Sequence, residues 1–197
     1  MTRSTMLVVW SILSLGLALF LPLRSARAEN TRHHITLGLG YQKYLGRDLK
    51  SDEVGVDFTN AAWGSVSYRF SVRPNLDLTL DTRGAVSTDQ LNGVDLTLTN
   101  SYFGPGIRLV GANEGTRPYI QANIYTVDEE IELAENGSKV SVSKSAVGFG
   151  VCGGVDIRAS RLLSIPIEVG YTYSKPADTL RGLGGTVGLT FNFGRFH

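Results

Sequence analysis

From residue 35 to its end, the chain alternates apolar and non-apolar residues with a period of two, and no stretch carries an apolar stripe of helical period. That period puts successive side chains on opposite faces of a strand, so the fold is all β. The clearest run places Val147, Phe149, Val151 and Val155 against Gly148, Gly150, Cys152, Gly154 and Asp156. Eight such segments can be read, at 35–41, 62–70, from 76 to 83, ending at 103–109, at 118–125, 147–156, 163–171 and 187–193. The non-apolar face decides the architecture. In a water-soluble barrel it would meet solvent with long charged side chains. Here it is mostly Gly, Ser, Thr and Asn, within a chain that has 23 glycines. Small residues suit the cramped interior of a narrow barrel, while lipid accepts a continuous apolar exterior. The expected fold is therefore an eight-stranded antiparallel transmembrane up-and-down β-barrel, apolar side out.

Residues 1–28 read as a Sec-type signal peptide: Arg3 in front, an apolar run over 6–23, and Ala26-Arg27-Ala28 as a small-x-small cleavage site. Cleavage after Ala28 leaves 29–197 as one barrel domain and turns the formal charge from +1 to −2. Connections alternate in length. Residues 45–60, 84–93, 127–143 and 174–184 are expected as long loops, and 71–75, 111–116 and 158–162 as short turns. That asymmetry, with both termini on the short-turn side, points the long loops out of the cell.

Two hairpins give registers. Asn136-Gly137 is a type I′ turn signal that pairs Glu135 with Ser138. Counting down from it pairs Ile124 with Phe149 and Ala122 with Val151 on one face. On the other it pairs Tyr125 with Gly148, Asn123 with Gly150, Tyr119 with Gly154 and Arg117 with Asp156. Above Thr126 the apolar residues Ile131, Leu133, Val140 and Val142 change to the lumen side, which sets the lipid–water boundary there. A five-residue turn at 71–75 would pair Phe70 with Leu76 and Arg69 with Asp77.

The charges exclude some functions. A formal charge of +1 offers no basic excess for nucleic acid, and Cys152, the only cysteine, rules out a cysteine zinc site or an internal disulfide. The lumen-facing positions carry Arg69, Arg83, Arg108 and Arg117 with Asp77, Asp81, Asp156 and Glu168, four of each sign. Buried charges are tolerable when paired, so the set reads as an ion-pair plug rather than a conduction path. Trp63 is placed to stack on Arg83. Cys152 reads as a small buried filler. Acidic groups in the third long loop (Asp128, Glu129, Glu130, Glu132, Glu135) and the first (Asp48, Asp52, Glu53, Asp57) read as solvated charges, with no calcium-loop pattern. His33, His34 and His197 are expected as frayed terminal histidines, and no catalytic residue, metal or cofactor is assigned.

Gly104-Pro105-Gly106-Ile107-Arg108 and the final Gly188-Leu189-Thr190-Phe191-Asn192-Phe193 complete a pattern over 33–197 that resembles the small outer-membrane β-barrel proteins of Gram-negative bacteria, the opacity-protein and outer-membrane-protein-A-like group. The resemblance implies a bacterial cell outer-membrane location, contact with outer-membrane lipid and lipopolysaccharide, and insertion by the barrel-assembly machinery, which reads a terminal aromatic, here Phe193 or Phe196. A structural or surface-interaction, adhesin-like role is expected, with an extracellular ligand at the long loops. A narrow porin-like channel for small solutes and a lipid A modifying enzyme are the alternatives.

Overall fold

A computed structural model describes residues 32–45, 50–51, 56–91, 94–111, 115–135, 138–160, 162–175 and 180–194. The signal-peptide reading, the Asn136-Gly137 turn, Phe196 and His197 lie outside the described residues.

Among the described residues ten strands follow in order. They are β1 (Arg32–Tyr44), β2 (Lys50–Ser51), β3 (Val56–Asp57), β4 (Asn60–Arg73), β5 (Leu76–Leu91), β6 (Val94–Val110), β7 (Thr116–Glu135), β8 (Ser138–Arg158), β9 (Leu163–Ser174) and β10 (Leu180–Phe193). Eight of them form a closed antiparallel up-and-down barrel, and β2 and β3 make a separate two-stranded hairpin in the first long connection. The barrel closes where β1 pairs with β10, Leu37 opposite Leu189 and Gly38 opposite Gly188.

The faces are inside out. Val147, Phe149 and Val151 are 73%, 46% and 44% exposed on the outer surface, whereas Gly148, Gly150 and Cys152 between them are buried in the lumen. Glycine is required there by crowding. A Cβ on Gly150 would lie 2.8 Å from Cε2 of Tyr125, and one on Gly154 2.8 Å from the Tyr119 hydroxyl. The large rings fill an eight-stranded lumen only because the facing strand carries no side chain. In the short connection after β6, Gly115 takes φ of +88°, a left-handed conformation that suits glycine.

The β7–β8 register agrees with the count at every pair given, from Glu135 opposite Ser138 to Arg117 opposite Asp156. The β4–β5 register does not. Phe70 faces Leu78, Arg69 faces Thr79, and Ser71 faces Asp77. Pro74 and Asn75 alone form the turn, and an irregularity between Ser71 and Arg73 takes up the extra residue, so the pairing slides by two positions. A slide of two keeps each side chain on its expected face.

A second correction concerns the long connections. Most of 84–93 and 127–143 is strand, not loop, because β5 runs to Leu91 and β7 to Glu135. Strands β7 and β8 have 20 and 21 residues, about twice the 9–11 that cross a bilayer. Strand β9 reaches β8 no further than Gly148 opposite Ser174, and β4 reaches β5 no further than Ala62 opposite Val86. Beyond those points β5 to β8 continue as a four-stranded sheet that rises clear of the barrel rim.

Candidate functional site

The lumen is built in three levels. At the short-turn end, Arg69 on β4 and Arg108 on β6 both bond Oδ2 of Asp156 on β8, at 3.3 and 3.2 Å. Arg69 also donates to the hydroxyls of Thr36 and Thr190, tying β4 to the closing strands β1 and β10. Beside it, His34 Nδ1 lies 2.6 Å from Asn192 Oδ1 and its Nε2 3.1 Å from the Ser71 hydroxyl. The Ser71 hydroxyl donates to Asp77 at 2.6 Å.

Mid-lumen, the Arg83 guanidinium bonds Asp81 at 3.1 Å and Glu168 at 3.5 Å. Asp81 also accepts from Gln121 (2.9 Å) and Tyr125 (3.2 Å), and Glu168 from Tyr119 (3.0 Å). The Arg83 guanidinium sits 4.9 Å from the Trp63 ring centroid, and that of Arg108 lies 3.3 Å from the Tyr119 ring. Cys152 is buried against this level, its sulfur 3.7 Å from Glu168.

The third level is largely apolar, though Gln42 is buried beside it and donates to the Thr172 hydroxyl at 3.4 Å. Tyr44, Phe58, Ala61, Leu96, Leu98, Tyr102, Val127 and Leu180 are all buried in one cluster that also includes Trp63, Ala85 and Tyr125. Leu91 and Ile131 pack on its margin. Asn100 donates to the Tyr44 hydroxyl at 2.9 Å inside it. These residues come from the tops of several strands and from the connection around Phe58. They cap the lumen with a small hydrophobic core on the side of the raised sheet.

Of the eight charged residues expected in the lumen, seven lie in the two polar levels. Arg117 instead reaches over the rim to the Pro74 carbonyl at 2.7 Å, although it stands opposite Asp156 in register. The apolar cap was not expected. Its signal is present in the alternation of Leu96 and Leu98 with Thr97 and Thr99, between the expected loop 84–93 and the strand ending at 109. The frayed-terminus reading of His34 is also corrected: it is 8% exposed, on the inward phase of β1. His33, on the outward phase, contacts the rings of Tyr68 and Phe70.

The His34, Ser71 and Asn192 trio has the outline of a nucleophile, a base and an orienting amide, but its polarity is wrong. The serine proton points to Asp77, so the hydroxyl does not offer it to His34. Among the described residues no group of three His, Cys, Asp or Glu side chains is arranged to hold a metal ion. On the raised hairpin Lys139 bonds Glu132 at 2.6 Å, and that carboxylate holds the ammonium above its ordinary pKa.

With this geometry in place the comparisons are direct. Residues 13–193 match the family model for the outer membrane protein beta-barrel domain. The chain belongs to that family, whose members are bacterial outer-membrane proteins. Solved structures share the barrel at low identity. Ail, the attachment invasion locus protein of Yersinia pestis, solved with the heparin analogue sucrose octasulfate, is 16% identical with a TM-score of 0.60, over 83% of this chain and 99% of that one. Neisserial surface protein A is 16% identical with a TM-score of 0.57, over 82% and 97%. OprG of Pseudomonas aeruginosa is 10% identical with a TM-score of 0.53, over 85% and 98%. At such identities they establish the fold alone. No curated protein matches the chain.

Proposed function

We propose that this outer-membrane protein is a closed, non-catalytic barrel that serves as a rigid stand for a surface-interaction sheet outside the cell. In this class short turns face the periplasm and long connections the exterior, so the raised sheet of β5 to β8 projects outward. The observation that carries the reading is the apolar core seated at the base of that sheet and across the lumen. It holds the sheet upright, which a binding surface needs, and it closes the path a solute would take. The ion-paired levels beneath add a second obstruction, because an eight-stranded lumen leaves room only for side chains. On this reading 1–28 is removed during export, and lipopolysaccharide surrounds the barrel.

The outer face of the raised sheet carries Asp128, Glu130 and Glu132 against Lys139, which itself bonds Glu132. A sulfated polyanion like the one bound by Ail is a poor electrostatic match for that face, and an uncharged or basic surface is a better one. Two measurements test the proposal. In planar bilayers the protein should give no discrete conductance, whereas a porin-like channel would give steps. Bacteria displaying the full protein should adhere to a ligand-bearing surface, and removal of 131–142 should abolish adhesion while heat-modifiable gel mobility is retained. Regular conductance steps, or adhesion indifferent to that deletion, would overturn it.

A further inference from the structure

We propose that the raised part of β8 joins the same strand of a second copy standing in a facing outer membrane, so that the protein links cell to cell by its own edge. This rests on the reading of the raised sheet as an interaction surface and names its partner. Strand β9 stops pairing with β8 at Gly148 opposite Ser174, so among the described residues 138–147 pair with β7 alone. Residues 138–145 are exposed on both phases. On the inward phase, beyond the apolar cap, Val140 and Val142 are 60% and 57% exposed, with Leu133 of β7 opposite Val140. An open strand edge pairs with another extended strand, and the side chains beside it decide which one.

This edge is its own complement. Antiparallel pairing centred on Ser141 sets Val140 opposite Val142 of the second copy, and Val142 opposite its Val140, on one face. Lys139 then meets Ser143 and Lys144 meets Ser138, so no like charges stand opposite. Lys139 is already bonded to Glu132, and Lys144 stands opposite Glu129 in register. The acidic groups Asp128, Glu130 and Glu132 stay on β7, one strand behind the edge. Membrane orientation selects the partner's side. Copies in one membrane all run β8 from the exterior toward the periplasm, so two of them side by side would pair in parallel. Their two-fold would lie along the strands and put the valines on opposite faces. A copy in a facing membrane runs the other way, and a two-fold perpendicular to the sheet keeps the valines together. One strand edge buries far less than the about 1,200 Å² of a standard interface, so a single contact is weak and adhesion comes from many copies between two membranes.

The test uses the full chain reconstituted densely in phosphatidylcholine vesicles, with clustering followed by light scattering. Protein-bearing vesicles should cluster with one another and leave dyed protein-free vesicles dispersed. Val140→Lys/Val142→Lys, at exposed positions, should fold, as gel mobility before and after heating verifies, and should lose clustering. Val140→Glu/Val142→Glu should lose it too, and vesicles of the two variants mixed together should regain it, since each lysine then faces a glutamate. In a Cys152→Ala background, Ser138→Cys vesicles mixed with Lys144→Cys vesicles and oxidised with copper–phenanthroline should yield a disulfide-linked dimer, and neither population alone should. Dispersed wild-type vesicles, clusters that take in protein-free vesicles, unaltered clustering of the lysine variant, or no dimer in the mixed population would overturn the proposal. If vesicles stay dispersed while displaying bacteria still adhere to a ligand-bearing surface through 131–142, the edge serves another partner and the raised sheet keeps its role; loss of both would remove that role as well.

Discussion

Replacing Arg83 by Met keeps most of the side-chain volume but removes the one guanidinium that, among the described residues, bonds Asp81 and Glu168. Asp81 is 2% exposed, so its charge has no solvent to turn to. It keeps two neutral donors, Gln121 and Tyr125, and Glu168 keeps Tyr119. Breaking a buried pair from one side costs about 3–5 kcal/mol, mainly through the carboxylate left behind. The lost stacking on Trp63 adds about 1 kcal/mol. In a Trp10→Phe background Trp63 is the only tryptophan, and it touches the perturbed group. Its fluorescence during urea unfolding from lipid vesicles therefore reports both stability and local environment. The companion Glu168→Gln removes the second charge, and Arg83→Met/Glu168→Gln closes a double-mutant cycle. If the lumen charges neutralise one another, the double variant is more stable than the sum of the singles implies, by about 1–3 kcal/mol. A cost below about 1 kcal/mol for Arg83→Met, or strict additivity, would refute the argument.

Other perturbations have equally defined outcomes. Gly150→Ala should destabilise the barrel by about 1–3 kcal/mol by driving a methyl into the Tyr125 ring, and Tyr125→Leu in the same chain should recover part of the loss in the same urea assay. His34→Ala, which strips partners from Asn192 and Ser71 at the closing seam, should cost about 1–3 kcal/mol and lower the temperature at which the folded gel band disappears. Val151→Arg, on the lipid-facing surface, should cost about 2–4 kcal/mol. Ser143→Arg, on the solvent-facing raised strand, should be nearly silent in parallel urea titrations.

The barrel was legible because two requirements coincide along each strand: lipid wants an unbroken apolar face, and a narrow lumen wants small residues on the other. Even the β7–β8 register could be counted, since Asn136-Gly137 fixes one pair and the alternation leaves no slack over twenty residues. The β4–β5 turn defeated the same counting because a bulge near Val72 is a backbone choice with little side-chain signature. Above Thr126 the legibility fell for a different reason. Water replaces lipid as the outer solvent, so the apolar residues move inward and the strands look like loop when read against the membrane pattern. The cap needs Phe58, Leu98, Val127 and Leu180 brought together from distant stretches of chain, and such non-local packing leaves no local motif. His34 stands near the terminus yet shares the inward phase of Thr36, and that phase, not its place in the chain, decides its burial.

An inside-out barrel fixes where the β8 side chains point, and nitroxide labels can read that directly. In a Cys152→Ala background, single cysteines at Val147, Phe149, Val151, Ser141 and Ser143 would carry the label in reconstituted vesicles. Collision with oxygen, which concentrates in lipid, should dominate at 147, 149 and 151, and collision with a water-soluble nickel complex at 141 and 143. Water-like collision at 149 and 151 would mean that those side chains do not face acyl chains, and the inside-out barrel would be wrong.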